Sequence, residues 1–240
     1  GSRAVAMGDQ ALENQNFTSA TENYNVGIGY KAGNQISTGT YNTFIGGLAG
    51  DSTTTSDYNT IVGGNAFTGN TTGTGNTSLG TSSLRDNTTA NYNVAVGIDS
   101  LQVNTTGANN TALGSYALGA NTTAANNTAV GFEALRATTT GTQNTAVGGI
   151  ALIGNTEGIY NTAIGFTSLS TTTTGSYNTG LGRNAQCSSA TSSNQFTLGD
   201  TSVYNLRCND TSISSLSDSR DKTDVIDSPY GLDFINTVRP

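Results

Sequence analysis

The sequence predicts an all-β chain wound as a parallel β-solenoid of twelve short coils of constant length. Three observations carry that expectation. Glycine recurs at Gly29, Gly46, Gly63, Gly80, Gly97, Gly114, Gly131, Gly148, Gly165, Gly182 and Gly199, every step being seventeen positions, and a fixed period of about this length marks a repeat architecture. Before these glycines run short alternations such as Thr145, Ala146, Val147, with the period of two that a strand requires. Proline occurs only at Pro229 and Pro240, beyond the repeats, as suits coils whose amides must pair with their neighbours. A period this short also leaves no room for a helix, a strand and two turns.

An earlier copy, Val5-Ala6-Met7-Gly8, stands further from Gly29 than the period allows, so its loop from Glu13 to Tyr24 carries four extra residues and the coil count becomes twelve. Coils stacked about 4.8 Å apart would make a rod of roughly 57 Å.

Aligned on the glycine, each column has a task. The preceding residue is always aliphatic, from Ile28, Ile45 and Val62 through Val130, Val147 and Ile164 to Leu198, and is expected to form a buried stack. Three residues after the glycine stands alanine or serine, as at Ala32, Ser83, Ala117 and Ala151, implying a close approach; leucine follows at Leu84, Leu101, Leu118, Leu135, Leu152 and Leu169. These two columns are expected to form a second short strand. Asparagine lies four residues before the glycine in ten copies, Asn25 to Asn178, with Gln195 in the eleventh; an internal amide ladder or turn cap explains it better than a ligand site. Segments such as Asn104 to Gly107 read as turns.

Composition narrows the function. Charged residues are 10% of the chain, histidine and tryptophan are absent, and there are only two cysteines, Cys187 and Cys208. No zinc or haem site, and no cofactor, is expected from such a set, and the cysteines read as free or incidental. A net charge of −7 argues against nucleic acid or an anionic membrane as partner. No apolar run approaches the length that inserts in a membrane. The opening Gly1-Ser2 reads as a cloning scar on an excised piece of a longer protein.

Core size then bears on assembly. One large aliphatic plus one leucine per coil supplies about 3 to 6 kcal/mol if buried, against an ordering cost above roughly 15 kcal/mol per coil before hydrogen bonds are counted. A single narrow solenoid is therefore thinly supported. Were the leucine column to face outward beside small residues, three chains could share an apolar seam, and an obligate homo-oligomer, a homotrimer, is expected.

The units Asn144-Thr145-Ala146-Val147-Gly148 and Asn161-Thr162-Ala163-Ile164-Gly165, each followed by a small residue and Leu, resemble the head repeats of trimeric autotransporter adhesins. The resemblance covers residues 3–205 and implies a left-handed, trimeric parallel β-roll. It also implies an extracellular place on a bacterial surface or phage virion, and binding of a cell-surface glycan or protein receptor by exposed loops. The threonine-rich turn here is longer than that family's usual one.

After a connector at 206–216, the composition changes. Residues 217–240, from Ser217-Asp218-Ser219-Arg220-Asp221-Lys222 to Val238-Arg239-Pro240, resemble the start of the intramolecular chaperone of phage endosialidases and tail fibres. That resemblance implies a trimerising domain that cuts itself off at Leu216–Ser217, with Ser217 as nucleophile and Lys222 as base, its pKa lowered by burial or a nearby cation. In the chain ending at Pro240 no cleavage is expected. Self-cleavage as the principal function is the alternative to an adhesive fibre.

Other features have plainer explanations. Tyr24, Tyr41, Tyr58, Tyr92, Tyr160 and Tyr177 occupy one column; they are weak candidates for a sugar platform, and a stiffening ladder accounts for them more simply. Paired threonines such as Thr88 and Thr89 raise an ice-binding solenoid as a minor alternative, but neighbouring residues of a strand point to opposite sides. Asp99 and Glu133 share a column two coils apart, about 9 to 10 Å, at the outer limit for an inverting glycosidase pair. Asn70, Asn87, Asn104 and Asn121 each begin a formal glycosylation triplet.

Overall fold

The structure is a computed structural model that describes residues 3–17 and 22–203. Every described residue belongs to one compact unit, Gly1–Val203. That unit is a β-solenoid. Twelve three-residue strands, from β1 (Val5–Met7) and β2 (Val26–Ile28) through β8 (Thr128–Val130) and β9 (Thr145–Val147) to β12 (Phe196–Leu198), form one parallel sheet in chain order. Register advances by one period per coil: Thr128, Ala129 and Val130 face Thr145, Ala146 and Val147. The hydrogen bonding between coils extends beyond the strands, as where Leu118 N–H donates to the Ala134 carbonyl and Thr105 N–H to that of Thr122.

Two expectations are corrected. The alanine and leucine columns do not form a second strand; they lie in a turn, because in the coils of Gly8 to Gly165 the residues two and four after the glycine take left-handed backbone, for example Glu133 at φ 54° and Leu135 at φ 53°. A left-handed leucine costs about 1–2 kcal/mol, and burial of its side chain offsets that cost. The two faces are also exchanged. Leu84, Leu101, Leu118, Leu135, Leu152 and Leu169 are wholly buried, while the aliphatic column before the glycine points out and stays half-buried or exposed. The leucine column is therefore no seam between chains.

Volume explains the exchange. A coil this short encloses one narrow lumen, and the strand contributes only its central residue to it: Ala95, Ala112, Ala129, Ala146 and Ala163, all buried. Leucine comes from the opposite wall and leaves room for nothing larger than alanine there. Around Phe44, a large strand residue, the wall shrinks. Phe44 is buried, and a methyl group added at Gly33 or Gly50, which replace leucine on either side, would strike its ring. Conversely Gly27 and Gly180 stand against Leu12 and Leu169. Interiors at crystal-like density demand this trade.

The expected asparagine ladder is present and wholly internal. Asn144 N–H and Nδ2–H both donate to Asn127 Oδ1, at 2.9 and 3.2 Å, and Nδ2 also donates to the Gly158 carbonyl at 2.8 Å. A second ladder runs through the turns: Asn87, Asn104 and Asn121 each donate Nδ2–H to the Oδ1 of the asparagine one coil earlier, at 3.0, 3.1 and 2.7 Å. Those side chains are buried, so the formal glycosylation triplets are structural amides. Threonine interrupts this ladder at Thr138 and Thr172, and the Oδ1 atoms left without a donor are those of Asn121 and Asn155, one coil before each break. Thr138→Asn and Thr172→Asn restore the missing donors. Each is expected to raise stability by about 1 kcal/mol, read as a higher midpoint in thermal or urea unfolding.

Candidate functional site

The outward face of the sheet is the largest functional candidate. Period-two alternation sends the first and third residue of each strand outward. One column is therefore mainly threonine, with Thr43, Thr60, Thr77 and Thr111 through to Thr179; the other is Ile28, Ile45, Val62, Leu79, Val96, Leu113, Val130, Val147, Ile164, Leu181 and Leu198. Leu79 is 49% exposed and Ile164 45%. Just past the glycine the face is extended by Tyr30, Ile98, Phe132 and Phe166, the last 57% exposed. Eleven coils at about 4.8 Å and a width of about 10–15 Å make an apolar and hydroxyl-bearing strip on the order of 600 Å². No side chain of the described residues covers it.

The glycine column sets the edge of this face. Gly131 has φ 133°, and a Cβ there would lie 2.6 Å from both the carbonyl carbon and oxygen of Gly148. The glycines of successive coils thus pack backbone on backbone, which their regular recurrence reflects.

The tyrosine column lies along an exposed edge, each ring on left-handed backbone. Tyr24, Tyr41 and Tyr58 stack at 5.0 and 5.2 Å, and Tyr160 on Tyr177 at 5.0 Å with ring planes 14° apart. The column is interrupted by Gly75 and again by Asn109, Asn126 and Gln143, so the rings make two short ladders with Tyr92 between them. Ring on ring, they offer neighbouring coils more than they offer a ligand. At the first, Glu22 accepts a hydrogen bond from the Tyr24 hydroxyl and holds its pKa above the usual phenol value.

Asp99 and Glu133 are not a converging pair. Tyr116 stands between them in their column, and each carboxylate is held within its own coil: Gln102 Nε2–H donates to Asp99 Oδ1 at 2.7 Å, and Arg136 pairs with Glu133 at 2.7 Å. Cys187 is a free, buried thiol, its pKa pushed up by burial. No group of three or more potential metal ligands occurs among the described residues, and no helix among them is long and apolar enough to cross a membrane. Ser217, Lys222 and Cys208 lie outside the described residues. The exposed sheet face was missed because alternation says which residues share a side and not which side is inside. Compared with known proteins, the chain matches no family model, no curated protein and no solved structure.

Proposed function

We propose that this chain is the rod of a homotrimeric, extracellular adhesive fibre, in which three solenoids bury their outward sheet faces against one another and present their remaining sides to a cell-surface glycan. The observation that carries the reading is an all-parallel sheet with one face left uncovered by the described residues. A monomer seldom exposes an apolar strip of several hundred Å² without a partner for it. The strip is on the order of 600 Å² per chain, near the roughly 800 Å² per partner of a standard stable interface. It also runs the length of the rod, so its natural complement is a second rod of the same length. The resemblance to adhesin head repeats supports the same assembly with three chains.

The seam of this proposal is the Val, Ile and Leu column before the glycines. Val147→Asp with Ile164→Asp places two carboxylates on that face without touching the lumen. The double variant is expected to lose assembly, its mass by sedimentation falling to that of one chain while the β-type circular dichroism persists. An assembled double variant would remove this face from the interface.

A further inference from the structure

The regular surface of the rod is broken midway along it, in the coils of Gly97 to Gly148. In the coil of Gly114, the positions five and six past the glycine are Gly119 and Ala120, and one coil on the sixth is Ala137. Larger residues frame them: Gln102 and Val103 at both positions of the coil below, and Arg136 and Ile153 at the fifth position of the two coils above. The missing side chains leave an open notch of about 520 Å³ lined by these residues with Asp99 and Tyr116, within the roughly 300–1,000 Å³ of small-molecule sites.

Its polar groups are held in place before any ligand arrives. Gln102 Nε2–H donates to Asp99 Oδ1 at 2.7 Å, which leaves the second carboxylate oxygen and the amide oxygen as acceptors. Arg136 is fixed by Glu133 at 2.7 Å and its guanidinium lies over the Tyr116 ring, 5.5 Å from the centre, leaving Tyr116 38% exposed for a ligand. Phe132 meets that ring edge-on, 6.3 Å between centres at 87°. The notch thus combines a clamped aromatic ring with a carboxylate, an amide and a guanidinium, all planar.

We infer that this notch binds a neutral pyranose of a glycan, the sugar's C–H face against Tyr116 and its adjacent hydroxyls on Asp99, Gln102 and Arg136. Aromatic faces take apolar C–H surface while leaving hydroxyls to polar neighbours, and a carboxylate or guanidinium can engage two groups at once. A neutral sugar is favoured over an acidic one because Arg136 already carries a carboxylate partner, while Asp99 would repel a second negative charge. This inference rests on the glycan-binding part of the proposed function and gives it an address. The notch adjoins the sheet face through the Phe132–Tyr116 contact, but its own lining lies off the strands, so each of three copies would carry one.

The test is saturation-transfer NMR on the full chain with the methyl glycosides of glucose, galactose and mannose, each at about 5 mM, a range suited to the millimolar affinity of a single-residue site. Tyr116→Asn removes the ring but keeps a residue that accepts its left-handed backbone (φ 61°), as Asn65 and Asn184 do in the same column. Ala120→Tyr fills the notch instead. At least one glycoside is expected to show transfer to its ring protons, weakened about fivefold in Tyr116→Asn, since lost stacking near 1 kcal/mol corresponds to that factor, and by at least as much in Ala120→Tyr, where the new ring occupies the sugar's place. Circular dichroism and mass should be unchanged in both. No transfer with any of the three sugars, or transfer that survives both substitutions, overturns the inference. Because mass is read on the same samples, a trimer without sugar binding would refute the notch alone, and a monomer would refute the assembly.

Discussion

Leu135→Asp unfolds the coils around it. Leu135 is wholly buried between Leu118 and Leu152, in a lumen whose other wall is alanine. Truncating such a leucine alone costs about 2–5 kcal/mol, and an ionised carboxylate with no partner adds several more. Each coil takes its support from the coils above and below, so the damage spreads along the rod instead of staying local. The expected readout is loss of the β-type circular dichroism at 25 °C and rapid proteolysis within the repeats, with no folded monomer remaining. The contrast with Val147→Asp and Ile164→Asp, two positions of the outward column, makes the result diagnostic. Apolar residues a few positions apart in one repeat should fail in different ways, one set by unfolding and the other by dissociation. A folded, dissociated Leu135→Asp would restore the leucine seam.

Gly131→Ala is the second large effect, and it removes nothing. At φ 133° the backbone occupies a region that is essentially closed to residues with a Cβ, at about 1–3 kcal/mol. The added methyl would also lie 2.6 Å from the carbonyl carbon and oxygen of Gly148. Neither can yield cheaply, because Gly148 N–H donates to the Val130 carbonyl at 2.8 Å and Gly148 in turn packs on Gly165. A loss on the order of 3 kcal/mol or more is expected in urea unfolding. Gly149→Ala, one residue past the same column, is the control: a Cβ there meets only the Phe166 ring at 3.4 Å, and stability should change by less than about 1 kcal/mol.

These contrasts show what the sequence reveals and what it hides. The period, the strand positions and the glycine column are all legible because backbone geometry demands them in every coil. The asparagine column is legible for the same reason, since a buried amide needs its partner at the same height in the next coil. The side of the sheet that faces the lumen is not. Size suggests that Val147 is inside and Ala146 outside; the lumen reverses this because Leu135 and Leu152 reach it from the facing wall. The left-handed turn is equally hidden, for Glu133 and Leu135 are not residues that favour such backbone. Tertiary packing imposes it. The notch beside Tyr116 depends on three small residues, Gly119, Ala120 and Ala137, which signal nothing until the coils are stacked.

On the proposed assembly, the uncovered face of the parallel sheet is closed by copies of the same chain. Light scattering on the unmodified protein decides between closure and exposure without any substitution. One species of three times the 24.4 kDa chain mass is expected, holding that mass on dilution to the low micromolar range, as befits an interface of this size. A stable monomer of 24.4 kDa, soluble with its valine, isoleucine and leucine column in water, would contradict it.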